Sequence, residues 1–100
     1  MKYLRYLSVL SALFLTQCND DYSGYLPPSE YDHEYDGFLQ LEIVSPESVK
    51  FWCGQQAIAC SMAFDKTCVV YLPDKSTIPR DILMRHELGH CNGWEPNHPR

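Results

Sequence analysis

Four cysteines crowd the C-terminal half of this chain, Cys53, Cys60, Cys68 and Cys91, and they limit its fold more than any other feature. The first three are spaced by seven and eight residues, which is not the Cys-x-x-Cys spacing of a zinc knuckle. Four cysteines in a small exported domain imply up to two disulfides, and the sequence leaves all three pairings open. The stretch they staple, residues 38–100, is too short to be held by an apolar core alone. A chain of 100 residues allows one such domain at most.

The fifth cysteine belongs to a different kind of segment. "MKYLRYLSVLSALFLTQC" places Lys2 and Arg5 before an apolar run from Tyr6 to Leu15. That is the layout of a signal peptide over residues 1–18, and the run is too short to span a bilayer comfortably. "LTQC" resembles the lipobox of bacterial lipoproteins, in which the cysteine, here Cys18, is acylated as a lipid anchor. Gln17 stands where that pattern has Gly, Ala or Ser. Cleavage near the same place without an anchor is the alternative. Either route implies export: a bacterial periplasmic location, membrane-anchored by lipid, or else secretion.

Residues 19–37 carry six acidic side chains and neither Lys nor Arg, with Pro27, Pro28 and tyrosines at 22, 25, 31 and 35. High charge with few aliphatics reads as an acidic, Tyr/Pro-rich linker. Its tyrosines could still dock onto the domain or onto a partner. His33, with no neighbour at ligand spacing, is a weak candidate for a metal. Over the whole chain 13 acidic residues outweigh 8 basic ones, a formal net charge of -5, which argues against a nucleic-acid partner.

The remainder reads as a disulfide-stapled α+β domain. Phe38 to Val44 forms a strand with Leu39, Leu41 and Ile43 on its apolar side. Ser45 caps a helix that begins at Pro46 and ends near Cys53, where Gly54 stops it. "QQAIACSMAFD" is ambiguous between a short helix and a strand. Thr67 to Pro73 is a second strand, with Cys68, Val70 and Leu72 on one face. A last helix runs through "RDILMRHELGHCN", capped by Ser76 or Thr77, with Pro79 in its first turn and Gly93 at its end. Met84, Leu88 and Cys91 form its core stripe, so Cys91 can bond a cysteine on the opposing layer.

The chemistry gathers on that last helix. His86 and His90 are four residues apart, so both imidazoles leave one face and can reach a single Zn2+. Glu87 borders the same face. It is badly placed as a ligand but well placed to take a proton from an attacking water, as general base. Gly89, between the histidines, is a poor helix former whose missing side chain lets another group approach closely. Asp81 reads as an ordinary helix-start charge, and Arg85 as a solvated flank or the partner of a carboxylate.

The stretch resembles the zincin superfamily of metallopeptidases and, in part, its metzincin branch. His86, Glu87, His90 and Gly93 match that branch in place. Pro96 occupies the slot of its third histidine, and no methionine follows for its Met-turn. "RHELGHCNGW" followed by His98 also resembles the ending of small bacterial envelope proteins, over residues 68–98. The resemblance implies a minimal zincin-like domain with a short sheet backing a metal-bearing helix. With Gly93 turning the chain, His98 is the expected third ligand and Glu95 the alternative. Three ligands and an open position are a catalytic arrangement. The implied activity is zinc-dependent hydrolysis of peptide bonds in an envelope or extracellular substrate. A non-catalytic zinc-binding protein of envelope assembly is the alternative, and a metal-free contact through residues 19–37 is a third. Tyr71, at the end of the second strand, is expected on an edge that could hold substrate backbone beside the helix.

Overall fold

The structure is a computed structural model that describes residues 21–96; the expected signal peptide over 1–18 with its Cys18, and the candidate ligand His98, lie outside the described residues. Three strands and two helices make a small α+β fold: β1 (Phe38–Val44), α1 (Pro46–Cys53), β2 (Cys60–Phe64), β3 (Thr67–Pro73) and α2 (Arg80–Cys91). Two short 3-10 turns, Ser23–Tyr25 and Ser29–Tyr31, precede them.

Local chemistry sets several of these boundaries. The Ser45 hydroxyl accepts a hydrogen bond from the Ser48 amide at 3.1 Å, and Pro46 supplies the fixed φ of the first helical residue. Gly54 ends α1 at φ 110°, a conformation that side-chain-bearing residues avoid. The ambiguous segment after it resolves into a turn followed by β2. The start of α2 differs from expectation. Pro79 is its N-cap, and no side chain caps it. The Ser76 hydroxyl is engaged earlier, accepting from the Ile78 amide at 3.0 Å, so it shapes the approach turn instead.

The sheet order is β1-β3-β2, with β1 parallel and β2 antiparallel to the central β3. Register places Leu39, Leu41 and Ile43 beside Cys68, Val70 and Leu72, and Ser61 and Ala63 beside Val70 and Cys68. These residues share the face that receives α2. Cys68, Val70, Leu72, Ile78, Leu83 and Cys91 form the buried core there. The other face of β3 carries Tyr71, whose ring stacks on Trp52 of α1 at 6.0 Å. Disulfides join Cys53 to Cys60, and Cys68 to Cys91 across the two layers.

Two sequence expectations change at the level of packing. Leu41 and Ile43 are 44% and 41% exposed, because α2 lies over β3 and β2 and leaves the outer strand open. On α2 the buried positions are Leu83, His86, Glu87, Gly89 and Cys91, while Met84 and Leu88 only flank the core.

The linker expected over residues 19–37 is not a solvated spacer in its described part. Both 3-10 turns contact α2, and Tyr22, Tyr25 and Tyr35 pack against the core. Asn92 donates to the carbonyls of Tyr31 and His33 at 3.0 and 2.7 Å, and Asp32 pairs with Arg85 at 2.5 Å. Three carbonyls and one carboxylate of this polar segment are thus engaged by α2 and the residue that ends it. Among the described residues, no helix is long and apolar enough to cross a membrane.

Candidate functional site

α2 carries His86 and His90 one turn apart, and their Nε2 atoms lie 3.2 Å from each other. Backbone carbonyls hold both rings from behind. His86 Nδ1–H donates to the Tyr25 carbonyl at 2.5 Å, and His90 Nδ1–H donates to the Trp94 carbonyl at 2.9 Å. A carbonyl can only accept, so each Nδ1 carries the hydrogen and each neutral ring keeps its lone pair at Nε2. Two lone pairs therefore face one another at hydrogen-bond distance. Nitrogens so placed can share one positive centre, a proton or a metal ion.

The local fold explains both anchors. Gly93, at φ 110°, reverses the chain after α2, so that Trp94 folds back with its amide donating to the Gly89 carbonyl at 3.0 Å. The Trp94 ring then stacks on His90 at 4.7 Å with an interplanar angle of 10°, and meets His86 edge-on at 5.0 Å. On the other side, Pro27 comes so close that a Cβ placed on Gly89 would lie 2.6 Å from the proline Cβ. Gly89 is thus what lets the N-terminal segment bring the Tyr25 carbonyl to His86.

His86, Glu87 and His90 open into a cavity of about 350 Å3. Ala59, Cys60, Ser61 and Ala63, of β2 and the residue before it, also line it, with Trp94 and Pro96. His86 and Glu87 are only 2% and 4% exposed. Among the described residues, every buried side-chain nitrogen and oxygen has a partner.

The structure therefore brings together three of the four residues singled out for this site, His86, Glu87 and His90. The fourth, His98, lies outside the described residues. Among those that are described, no three His, Cys, Asp or Glu side chains come together as a metal-holding group. Glu95 is exposed and, unlike its neighbours Trp94 and Pro96, does not line the cavity. His33 is exposed, with its ring against the Glu34 carbonyl at 2.9 Å. Tyr71 is on the central strand and on the face away from the cavity, so the edge beside the helix belongs to β2 instead.

Three contributors gave no signal in the sequence. The Tyr25 and Trp94 carbonyls act through the backbone, which no side-chain pattern marks, and β2 was not separable from a helix. Electrostatics outside the cavity is simple: the Arg85 guanidinium, hydrogen-bonded to Asp32, holds that carboxyl below its ordinary range and is itself pushed up by the carboxylate. Comparison with protein-family models, curated proteins and solved structures finds no match.

Proposed function

We propose that this chain is a small exported zinc hydrolase that cleaves peptide bonds in an envelope or extracellular substrate, a minimal relative in design of the zincin peptidases. The observation that carries the reading is the convergence of the His86 and His90 Nε2 atoms at 3.2 Å with both Nδ1 atoms held by carbonyls. Two nitrogens bound tetrahedrally to zinc at its usual bond length stand about 3.3 Å apart. A ligating histidine also characteristically donates its other N–H to a carbonyl or carboxylate, which fixes its tautomer.

When bound, zinc would supply Lewis acidity at the scissile carbonyl and lower the pKa of the attacking water. Glu87 then has the role of general base: it takes the proton from that water and returns it to the departing amine. The buried ring of His86 and the half-buried ring of His90 hold position because the Tyr25 and Trp94 carbonyls grip them. Trp94 shields one side of the pair from solvent. His98 is the third ligand in this reading.

A non-catalytic zinc-binding protein of envelope assembly is the second reading. It is favoured by the cavity lining, which beyond His86, Glu87 and His90 offers, among the described residues, no further charged side chain to bind a polar substrate. Elemental analysis of the oxidised protein distinguishes the cases, with His90→Ala, His98→Ala and Glu87→Gln run beside it. We expect close to one zinc per chain, lost in His90→Ala and much weakened in His98→Ala. Glu87→Gln keeps the zinc and loses peptide cleavage by about a hundredfold or more. No zinc in the parent protein, even after refolding with metal, would sink both readings. Zinc with no cleavage of any peptide leaves the second.

A further inference from the structure

We infer that the open edge of β1 is a homodimer interface, in which two copies of this chain pair their β1 strands antiparallel across a two-fold axis at Leu41.

Within β1 the backbone groups alternate in direction. The Phe38 amide donates to the Lys66 carbonyl at 2.7 Å, and the Val44 carbonyl accepts from the Asp74 amide at 2.7 Å, both on the β3 side. Residues 38, 40, 42 and 44 therefore spend their N–H and C=O groups on β3, and those of Leu39, Leu41 and Ile43 point to the other edge. Among the described residues that edge has no paired strand. It is seven residues long and contains neither Pro nor Lys, the usual guards of an exposed edge.

The side chains say what covers it. "FLQLEIV" is close to a palindrome about Leu41. An antiparallel pairing centred there sets Leu39 opposite Ile43 of the second copy, Leu41 opposite Leu41, and Phe38 opposite Val44. The three outward-facing residues then exchange about six hydrogen bonds across the axis. Leu41 and Ile43, 44% and 41% exposed, gain apolar neighbours on one face. The strand's only charge, Glu42, meets Gln40, a side chain that already hydrogen-bonds a Glu42 carboxylate at 2.9 Å within the chain. Centring the axis on Glu42 instead would bring two carboxylates face to face, which disfavours that register. Charge, apolar pattern and backbone direction thus select the same partner, a second copy. The result is a continuous six-stranded sheet, with both His86–His90 sites facing away from the interface strand.

The test is sedimentation velocity on the full oxidised chain over a concentration series, with amide hydrogen exchange read residue by residue. We expect a dimer, with the Leu39, Leu41 and Ile43 amides protected at concentrations where it forms and exchanging rapidly below it. Leu41→Lys places like charges on the axis, and Leu41→Pro removes an outward amide without touching the β3 ladder. Each should weaken association at least ~100-fold while retaining the far-ultraviolet spectrum and both disulfides. Phe64→Ser, on the opposite edge strand, should leave the dimer intact. A monomer at every concentration overturns the inference, as does a dimer in which those three amides exchange rapidly. A dimer lost in Phe64→Ser but kept in both Leu41 variants also overturns it.

Discussion

Gly89 shows how one missing methyl group positions a histidine one turn away. In isolation, alanine would favour the helix by about 1 kcal/mol over glycine. Here the new Cβ would meet Pro27 at 2.6 and 2.9 Å and the Trp94 ring at 3.0 Å. A proline ring cannot rotate aside, and overpacking of this kind costs about 1–3 kcal/mol. The clash outweighs the propensity gain, so Gly89→Ala should lower the melting temperature. If the histidine pair holds zinc as proposed, it should also weaken metal retention, because Pro27 carries the Tyr25 carbonyl away from His86 when it moves. Thermal unfolding and a competitive chelator titration measure the two effects. At this scale the sequence was informative about side chains and silent about the backbone: His86, Glu87 and His90 announce themselves by spacing, whereas the carbonyl that orients His86 comes from a residue 61 positions away.

Between elements, the two disulfides have unequal work. Cys53–Cys60 closes a separation of 7 residues, from the end of α1 to the start of β2, and Cys68–Cys91 closes one of 23, from the central strand to α2. Loop-closure entropy makes the shorter bridge worth about 2.5 kcal/mol and the longer about 3.5 kcal/mol. Cys68 and Cys91 are also buried, at 0% and 8% exposure, so replacing both by alanine adds a packing loss. We expect the Cys68→Ala, Cys91→Ala double variant to unfold at clearly lower denaturant than the Cys53→Ala, Cys60→Ala variant. Similarly, Ser45→Ala should cost about 1 kcal/mol through α1 alone. The elements whose cause is local were readable in advance: α1 from Ser45, Pro46 and Gly54, and β3 from Thr67 to Pro73 with Cys68, Val70 and Leu72 inward. β2 was not, since five residues with no strong alternation fit a strand or a helix turn equally well.

For the whole molecule, the acidic N-terminal segment is the part that sequence composition describes worst. Its charges suggested solvation, yet its carbonyls and one carboxylate fasten it to α2. No local pattern records which distant helix a loop will meet, and the same is true of strand order: nothing in "TCVVYLP" says that it lies in the middle of the sheet. The Asp32–Arg85 pair gives this docking a pH signature. Folding holds the Asp32 carboxyl below its unfolded value, so its contribution is fully present above the ordinary aspartate range near 4 and is lost as pH falls through the lower folded pKa. Asp32→Asn should therefore melt below the parent at neutral pH, with the difference closing below about pH 4. Removing residues 19–36 uncovers core that Tyr22, Tyr25 and Tyr35 pack against and takes the Tyr25 carbonyl from His86, so it should lower the melting temperature and, if the pair holds zinc as proposed, cut zinc affinity.

The covalent link from Cys68 to Cys91 also has a consequence that depends on the compartment. Cys91 follows His90 directly, so the bond ties the turn that bears the histidine pair covalently to the central strand. While the chain is kept reduced that tie is absent, and the turn is held to the sheet by packing alone. If the pair holds zinc as proposed, a reducing compartment should loosen its grip on the metal and an oxidising one tighten it.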